Sequence, residues 1–127
     1  MRITKRILGL SVLPLLAAGC ASTITNMTPS QIGRNSTGMY PFEVAWDSNM
    51  QAVKKDTLKP SVLVGTETYP MQPVPLVKNR WETVVPIPAD KDVVHYQYKF
   101  DYRYRTIPAP QKDSKLSKVY SIKIKEK

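Results

Sequence analysis

Residues 93–105 read VVHYQYKFDYRYR, and this stretch decides the fold. The even positions from Val94 to Tyr104 are all apolar or aromatic, whereas the odd positions from His95 to Arg105 are all polar. Successive side chains of a β-strand point to opposite faces of the sheet. The alternation therefore predicts a strand with one aromatic face, which packs in the core, and one polar face.

Three shorter stretches, residues 39–46, 80–87 and 118–125, alternate in the same way and predict further strands. Pro41 lies inside the first of them, which favours an edge position or a bulge. The outward lysines of the last stretch suit an edge strand that must avoid pairing with other chains.

The remaining segments are shorter or more ambiguous. Gly65 and Thr66 predict a tight hairpin between two short strands. Residues 50–59 fit either a strand or a single helical turn, and residues 106–117 have the composition of a long polar loop. Short strands are predicted at 61–64, 67–71 and 74–77, with an extended segment near Ile32.

The spacing of these strands indicates the fold class. The chain has eleven prolines, and no apolar repeat of helical period follows residue 20. About seven short strands with regular turn signals predict a single antiparallel β-sandwich of the immunoglobulin-like kind, over residues 27–127. A Cys-Trp-Cys framework is missing, which excludes an antibody-type domain.

The first residues have the layout of an export signal. Arg2, Lys5 and Arg6 precede an uncharged run from Ile7 to Ala18, and the only cysteine, Cys20, follows it. A basic head, an apolar middle and small residues at the end are typical of a secretory signal peptide. The run is shorter than the roughly 20 residues that a transmembrane helix needs.

This segment resembles the lipobox of bacterial lipoproteins, in which a small residue precedes an invariant cysteine. Ala17, Ala18, Gly19 and Cys20 occupy the four positions, although Ala17 stands where the family prefers leucine. The resemblance implies cleavage between Gly19 and Cys20 and acylation of Cys20, so that the bilayer holds the protein. A cytosolic helix that ends in Gly-Cys and a plain secretory signal are the alternatives.

The resemblance also predicts domain boundaries and location. Residues 1–19 would be removed, and residues 20–26 would form a lipidated tether to the domain. Ala21 replaces the aspartate that retains enteric lipoproteins at the inner membrane, so the outer membrane is expected. Residues 26–40 resemble the start of small bacterial surface lipoproteins with one immunoglobulin-like domain.

The charge balance restricts the partners. The chain carries 19 basic and 10 acidic residues, and loss of Arg2, Lys5 and Arg6 with the signal leaves a net charge of +6. Outside the cytoplasm this charge suits anionic lipid or an acidic polysaccharide, and nucleic acid is not expected as a partner. A solvated basic surface without a ligand is the alternative.

The sequence offers little catalytic chemistry, so we expect a protein that is not an enzyme and has no cofactor. His95 is the only histidine, and with no second histidine and no free cysteine a zinc site is not expected. No serine lies in a Gly-x-Ser-x-Gly turn. Asp90 and Asp92 form either a weak cation site or a solvated turn.

The candidate binding residues fall into two groups. Tyr102 and Tyr104, beside Arg103 and Arg105, are expected to emerge at the rim of the domain. Lys123 and Lys125 point the same way from the last strand, where they either contact anionic headgroups together with the tether or protect a sheet edge.

Two functions follow from these observations. The first is protein–protein contact within an envelope assembly, through strand edges or loops. The alternative is a carbohydrate-binding module, because residues 81–100 resemble the paired strands of starch- and glycogen-binding sandwich modules. In that case the aromatic rings would stack on sugars instead of packing in the core.

Overall fold

The computed structural model describes residues 22–48 and 53–126, which contain ten β-strands and no helix. The predicted all-β class is confirmed. Gly19 and Cys20, with the rest of the predicted signal peptide, lie outside the described residues. The strands are β1 (Ser22–Asn26), β2 (Gln31–Gly33), β3 (Met39–Ser48), β4 (Val53–Val64), β5 (Glu67–Pro70), β6 (Gln72–Pro73), β7 (Arg80–Pro86), β8 (Val93–Tyr104), β9 (Gln111–Leu116) and β10 (Tyr120–Lys125).

The strand predicted from residues 93–105 is confirmed as β8. Its even-numbered side chains are buried from Val94 to Tyr102, and Tyr104 is half-buried at the end. β4 pairs with one edge of β8, whereas β10 and then β9 pair with the other. β8 is therefore the central strand of its sheet.

The strands form two sheets of mainly antiparallel pairing. The first sheet has the order β1-β3-β7-β6. The second has the order β2-β10-β8-β4-β5, with β9 also paired to β8. The predicted hairpin at Gly65 and Thr66 is confirmed, because Val64 pairs with Glu67 across it. Gly65 has a φ of 62°, a conformation that glycine adopts without steric cost.

The two sheets pack face to face through aromatic rings. Phe42 of β3 meets Tyr96 of β8 edge to face at 4.8 Å between ring centroids. The ring centroids of Trp46 and Phe100 lie 4.5 Å apart, and those of Trp81 and Phe100 lie 5.6 Å apart. Such pairs contribute about 0.5–1.5 kcal/mol beyond the area that they bury. The molecule is a β-sandwich whose core contains a cluster of aromatic rings in edge-to-face and tilted contact.

Pro41 lies in β3 without costing a backbone hydrogen bond in the sheet. The amide of Met27 donates to the carbonyl of Glu43, so the odd-numbered backbone groups of β3 point toward β1. β1 ends at Asn26, which pairs with Val44. The nitrogen of Pro41 therefore points past the end of β1. At this position β3 has no partner on that side, so it is locally an edge strand, as the proline predicts.

The sandwich has two ends, which are named here after one residue each. At the Ser22 end, the start of β1 lies beside the end of β3, because Ser22 pairs with Ser48. The end of β8 lies there too, since Trp46 contacts Tyr102. The loop between β6 and β7 is at the same end, because Ala45 pairs with Arg80, the first residue of β7. At the Val93 end, β8 begins and Val93 pairs with Lys123 of β10. β8 has 12 residues, so the two ends lie about 35 Å apart.

The tether prediction is wrong for residues 22–26. This segment forms β1 and pairs along its whole length with β3, from Ser22 with Ser48 to Asn26 with Val44. Ile24 packs against the core, whereas Thr23 and Thr25 are exposed. One half-buried isoleucine among polar residues is too weak an alternation to indicate a strand, and pairing with β3 decides the conformation.

Two loop assignments also differ from the prediction. Residues 111–116, expected in a polar loop, form β9 against the second half of β8. Its side chains are almost all exposed, so they carry no alternation that a sequence pattern could show. Residues 74–77, expected as a strand, form a turn in which the amide of Val77 donates to the carbonyl of Val74 at 3.3 Å.

β10 forms as predicted, with Ile122 and Ile124 buried, but it is not an edge strand. β2 pairs with it in parallel, opposite Lys123 to Lys125. The ambiguous region before Val64 is resolved as strand from Val53 onward, with a bulge between Lys54 and Lys59.

Candidate functional site

Tyr102 does not emerge at the rim, and the prediction of an exposed ring is wrong. Its side chain is 4% exposed, because Trp46 of the facing sheet covers it at 5.6 Å between centroids. The hydroxyl donates to Asp113 Oδ2 at 3.3 Å. Burial, and then the nearby Asp113 carboxylate, raise the pKa of Tyr102 above its ordinary value.

The other three candidates on β8 and just beyond it lie at the Ser22 end. Tyr104 is half-buried, and Arg103 and Arg105 are exposed. Arg103 pairs across the sheet with Lys112 of β9, and its backbone amide donates to Thr57 Oγ1 at 2.9 Å. The structure thus brings an aromatic ring and several cations together at this end.

Lys123 and Lys125 lie at the other end of the sandwich. Both are exposed on β10, and Lys123 pairs with Val93, the first residue of β8. The antiparallel direction of β10 separates these lysines from Arg103 and Arg105 by most of the length of β8. The two predicted groups therefore cannot form one site.

A polar cleft of about 450 Å³ opens where the bulge of β4 leaves the surface of the second sheet. Thr57 shapes it, since its hydroxyl donates to the carbonyl of Lys54 at 2.6 Å and closes the bulge. Sequence reasoning missed the cleft, because a bulge leaves no pattern in residues 55–58. The lining residues are Asp56, Thr57, Lys59, Asp101, Tyr102, Arg103, Lys112 and Asp113.

The cleft is lined by charges of both signs. Cations and carboxylates are mixed in it, and Asp101 lies 3.7 Å from Lys99 Nζ as an exposed ion pair. Such pairs contribute about 0–1 kcal/mol. Because Asp56 and Asp113 line the cleft beside Arg103 and Lys112, it is not a purely cationic pocket for a small anion, and it suits an extended polar surface better.

His95 and the predicted aspartate loop have structural partners. The Nδ1 atom of exposed His95 lies 2.7 Å from Ser121 Oγ. Asp92 and Glu126 both bind Arg34, at 2.9 and 2.7 Å, and tie β2 to the loop before β8. Within residues 22–48 and 53–126, no three His, Cys, Asp or Glu side chains cluster as metal ligands would.

An apolar groove of about 270 Å³ lies at the Val93 end. Pro86, Ile87 and Pro88 form one wall, and Val64 and Val94 contribute to the others. Its only ionisable lining residues are Lys91 and His95. The groove lies beside the protein core, and most of its lining residues are apolar.

A buried hydrogen-bond network fixes the end of β1 to the core. The Tyr98 hydroxyl donates to Asn26 Oδ1 at 2.7 Å and lies 2.7 Å from Thr28 Oγ1. The Asn26 amide in turn donates to the Tyr96 hydroxyl at 2.8 Å. Burial raises the pKa of both tyrosines above their ordinary value of 10.0. The network joins the end of β1, whose strand pattern is weak, to the middle of β8.

This network predicts a loss of stability at alkaline pH. Between the unfolded pKa of about 10 and the higher folded pKa, the unfolded chain releases protons that the folded chain retains. The stabilising effect is complete below pH 10 and is lost as the pH rises through the folded pKa. Urea unfolding at a series of pH values should show a falling midpoint above pH 10. Tyr98→Phe should be less stable at neutral pH and show a shallower fall, and an equally steep fall in this variant would contradict the assignment.

The described residues contain no helix that is long and apolar enough to cross a membrane. Comparison with known proteins gives no match to a family model, to a curated protein or to a solved structure.

Proposed function

We propose that the protein is a bacterial envelope lipoprotein, anchored through Cys20, whose immunoglobulin-like domain is a non-catalytic binding or scaffolding module for another protein. The lipobox at Ala17 to Cys20 supports the anchor. Two packed sheets of mainly antiparallel strands support the immunoglobulin-like assignment, since domains of that kind have this architecture. The outer membrane is the proposed location, because Ala21 follows the cysteine.

The observation that carries the binding role is the open edge at β9. Within the described part of the chain β9 pairs only with β8, and five of its six side chains are exposed. The amide of Ser117 donates to the carbonyl of Tyr98, so by strict alternation the amides of Lys112, Ser114 and Leu116 point away from β8. An outward row of backbone groups is the surface to which a partner adds a strand.

Charges on β9 make this edge selective. Lys112, Asp113 and Lys115 alternate in sign along it, which discourages association with any exposed strand. The Asp113 carboxylate also accepts a hydrogen bond from the amide of Ser114 at 2.8 Å. A partner must therefore match both the charges and the remaining free amides.

The carbohydrate alternative has lost its main support. Tyr96, Tyr98, Phe100 and Tyr102 are at most 4% exposed, so their faces are not available to stack on sugar rings. A glycan array with the full chain tests the alternative directly. Binding that depends on Tyr104 would restore it.

Cross-linking in living cells tests the protein-binding role. A photoreactive amino acid at Ser114 or Leu116 should give one discrete cross-linked protein, whereas the same group at the exposed Glu82, in the middle of the first sheet, should not. Leu116→Pro removes an outward amide but no bond to β8, so it should abolish the product without unfolding the domain. Equal products at all positions, or none at the edge, would contradict the role.

A further inference from the structure

The chain between the proposed lipid anchor and the folded domain is very short. β1 begins at Ser22, which is already paired with Ser48. Only two residue steps separate Ser22 from Cys20, and at most about 3.6 Å per step gives a reach of about 7 Å. The headgroup layer of a bilayer is about 5–8 Å thick on each side. An anchor at Cys20 therefore keeps the start of β1 close to the headgroups.

The loops at the Ser22 end carry exposed aliphatic side chains. Leu76, between β6 and β7, is 106% exposed, and Ile107, after β8, is 98% exposed. Val77 is also exposed beside Leu76. Single exposed aliphatic residues are common on proteins, but these two loop tips occur together at the end that the anchor reaches.

Leu76 is exposed at a position that disfavours it. It follows Pro75 in the turn closed by the Val77 amide, and its φ is 63°. Glycine or asparagine normally occupies this third turn position, because other side chains are strained at positive φ. The strain and the exposure both argue that packing within the domain does not explain this leucine.

Cations lie in the same loops as these apolar tips and on the strands beside them. Arg105 lies in the same loop as Ile107, Lys78 in the same loop as Leu76, and Arg103 and Lys112 are cross-strand neighbours. Half-buried Tyr104 lies between the two arginines in the sequence, with its side chain on the opposite face of β8 from that of Arg103, and tyrosine favours the interface between water and lipid. The acidic side chains at this end, Asp47, Asp56 and Asp113, are fewer than the basic ones.

We infer that the Ser22 end is a membrane-docking surface, on which Leu76 and Ile107 enter the headgroup layer while Arg103, Arg105 and Lys78 bind anionic phospholipid headgroups. The inference rests on the proposed anchor at Cys20 and adds an orientation to it. The long axis of the sandwich then points out of the plane of the bilayer. The Val93 end, with Lys123 and Lys125, faces the aqueous space. This orientation leaves the β9 edge accessible from the side.

Environment-sensitive fluorescence tests the docking surface. Full-length protein carrying Leu76→Cys, Ile107→Cys or, as a control at the Val93 end, Ala89→Cys is labelled with the dye NBD. The labelled proteins are reconstituted into phosphatidylcholine vesicles with or without phosphatidylglycerol. The labels at 76 and 107 should shift to the blue and brighten on phosphatidylglycerol vesicles, and the label at 89 should not. Water-like emission at all three positions would overturn the inference.

Charge variants show which end of the sandwich docks on the membrane. Each cation near an anionic surface raises the equilibrium constant for docking about fivefold. The double variant Arg103→Gln with Arg105→Gln should therefore lower the ratio of docked to undocked domain about 30-fold. The two labels then return to water-like emission. The matched change, Lys123→Gln with Lys125→Gln, should leave them shifted to the blue. The opposite pattern would place the Val93 end on the membrane.

A separate variant tests the role of Leu76. Asparagine tolerates positive φ, so Leu76→Asn should keep or raise the midpoint of urea unfolding while it weakens the blue shift at residue 107. An unchanged shift at 107 would show that Leu76 does not enter the headgroups. A signal from residue 107 that requires another protein, and does not appear on pure lipid, would assign this end to a protein partner and overturn the inference.

Failure of the anchor gives a different result from failure of docking. If Cys20 carries no lipid, its thiol reacts with the dye in the wild-type chain, and the protein leaves the vesicles at high salt. Blue-shifted labels at 76 and 107 at low salt would then still support docking. An acylated chain that stays on the vesicles with water-like labels supports the anchor and rejects docking.

Discussion

Phe100→Ala should lower the free energy of unfolding by about 3–5 kcal/mol. Phe100 is fully buried at the point where Trp46 and Trp81 of the first sheet meet β8, so truncation removes ring contacts to both tryptophans and leaves a cavity between the sheets. The loss is a large fraction of the roughly 5–15 kcal/mol that stabilises a domain of this size. Urea unfolding followed by tryptophan fluorescence measures it.

Lys99→Ala is the matched control for this variant. Lys99 is the preceding residue on the opposite face of β8, and its ion pair with Asp101 is exposed. Its loss should cost no more than about 1 kcal/mol. A melting temperature for Phe100→Ala within about two degrees of wild type would show that the ring is not in the core, because 1 kcal/mol corresponds to about 4–8 degrees in a small domain. The sugar-stacking alternative would then regain its support.

Cys20→Ser should release the protein from the membrane fraction. The oxygen of serine does not replace the thiol that accepts the diacylglyceryl group of a lipoprotein, so neither the acyl chains nor the cleavage that follows them would occur. Two or more acyl chains anchor a protein stably, whereas a single chain binds marginally. Detergent phase partition of cell extracts measures the change.

Ser22→Ala tests the specificity of that result. It lies two residues from Cys20 and outside the lipobox, so the variant should stay in the detergent phase with the wild type. Wild-type protein in the aqueous phase would contradict the anchor. An aqueous phase that contains Ser22→Ala would show that the cysteine is not the only determinant.

The strands that the sequence predicts are those that bury alternate side chains. β3, β8 and β10 place apolar residues at every second position, and β7 does so except at Thr83, because one face of each lies in the core. β1 and β9 escape prediction for the converse reason. Nearly all side chains of β9 are exposed, so its conformation depends on hydrogen bonds to β8 and not on its own pattern.

The candidate site was harder to predict than the fold. Nothing in residues 93–105 shows that Trp46 covers Tyr102 but leaves Tyr104 half-exposed, since this depends on how far the facing sheet extends. The separation of Arg103 from Lys123 likewise depends on the direction of β10. The unusual turn at Leu76 was not foreseen, because residues 74–77 were predicted as a strand and leucine seldom occupies positive φ.

The mass of the mature protein tests the central claim, that this chain is a lipid-anchored module, most directly. Protein extracted from membranes and analysed intact by mass spectrometry should lack residues 1–19 and should carry the added mass of a diacylglyceryl group and an amide-linked acyl chain. Digestion should place both additions on the peptide that begins with Cys20. An intact amino terminus, or a cleaved chain with an unmodified Cys20 thiol, would contradict the account.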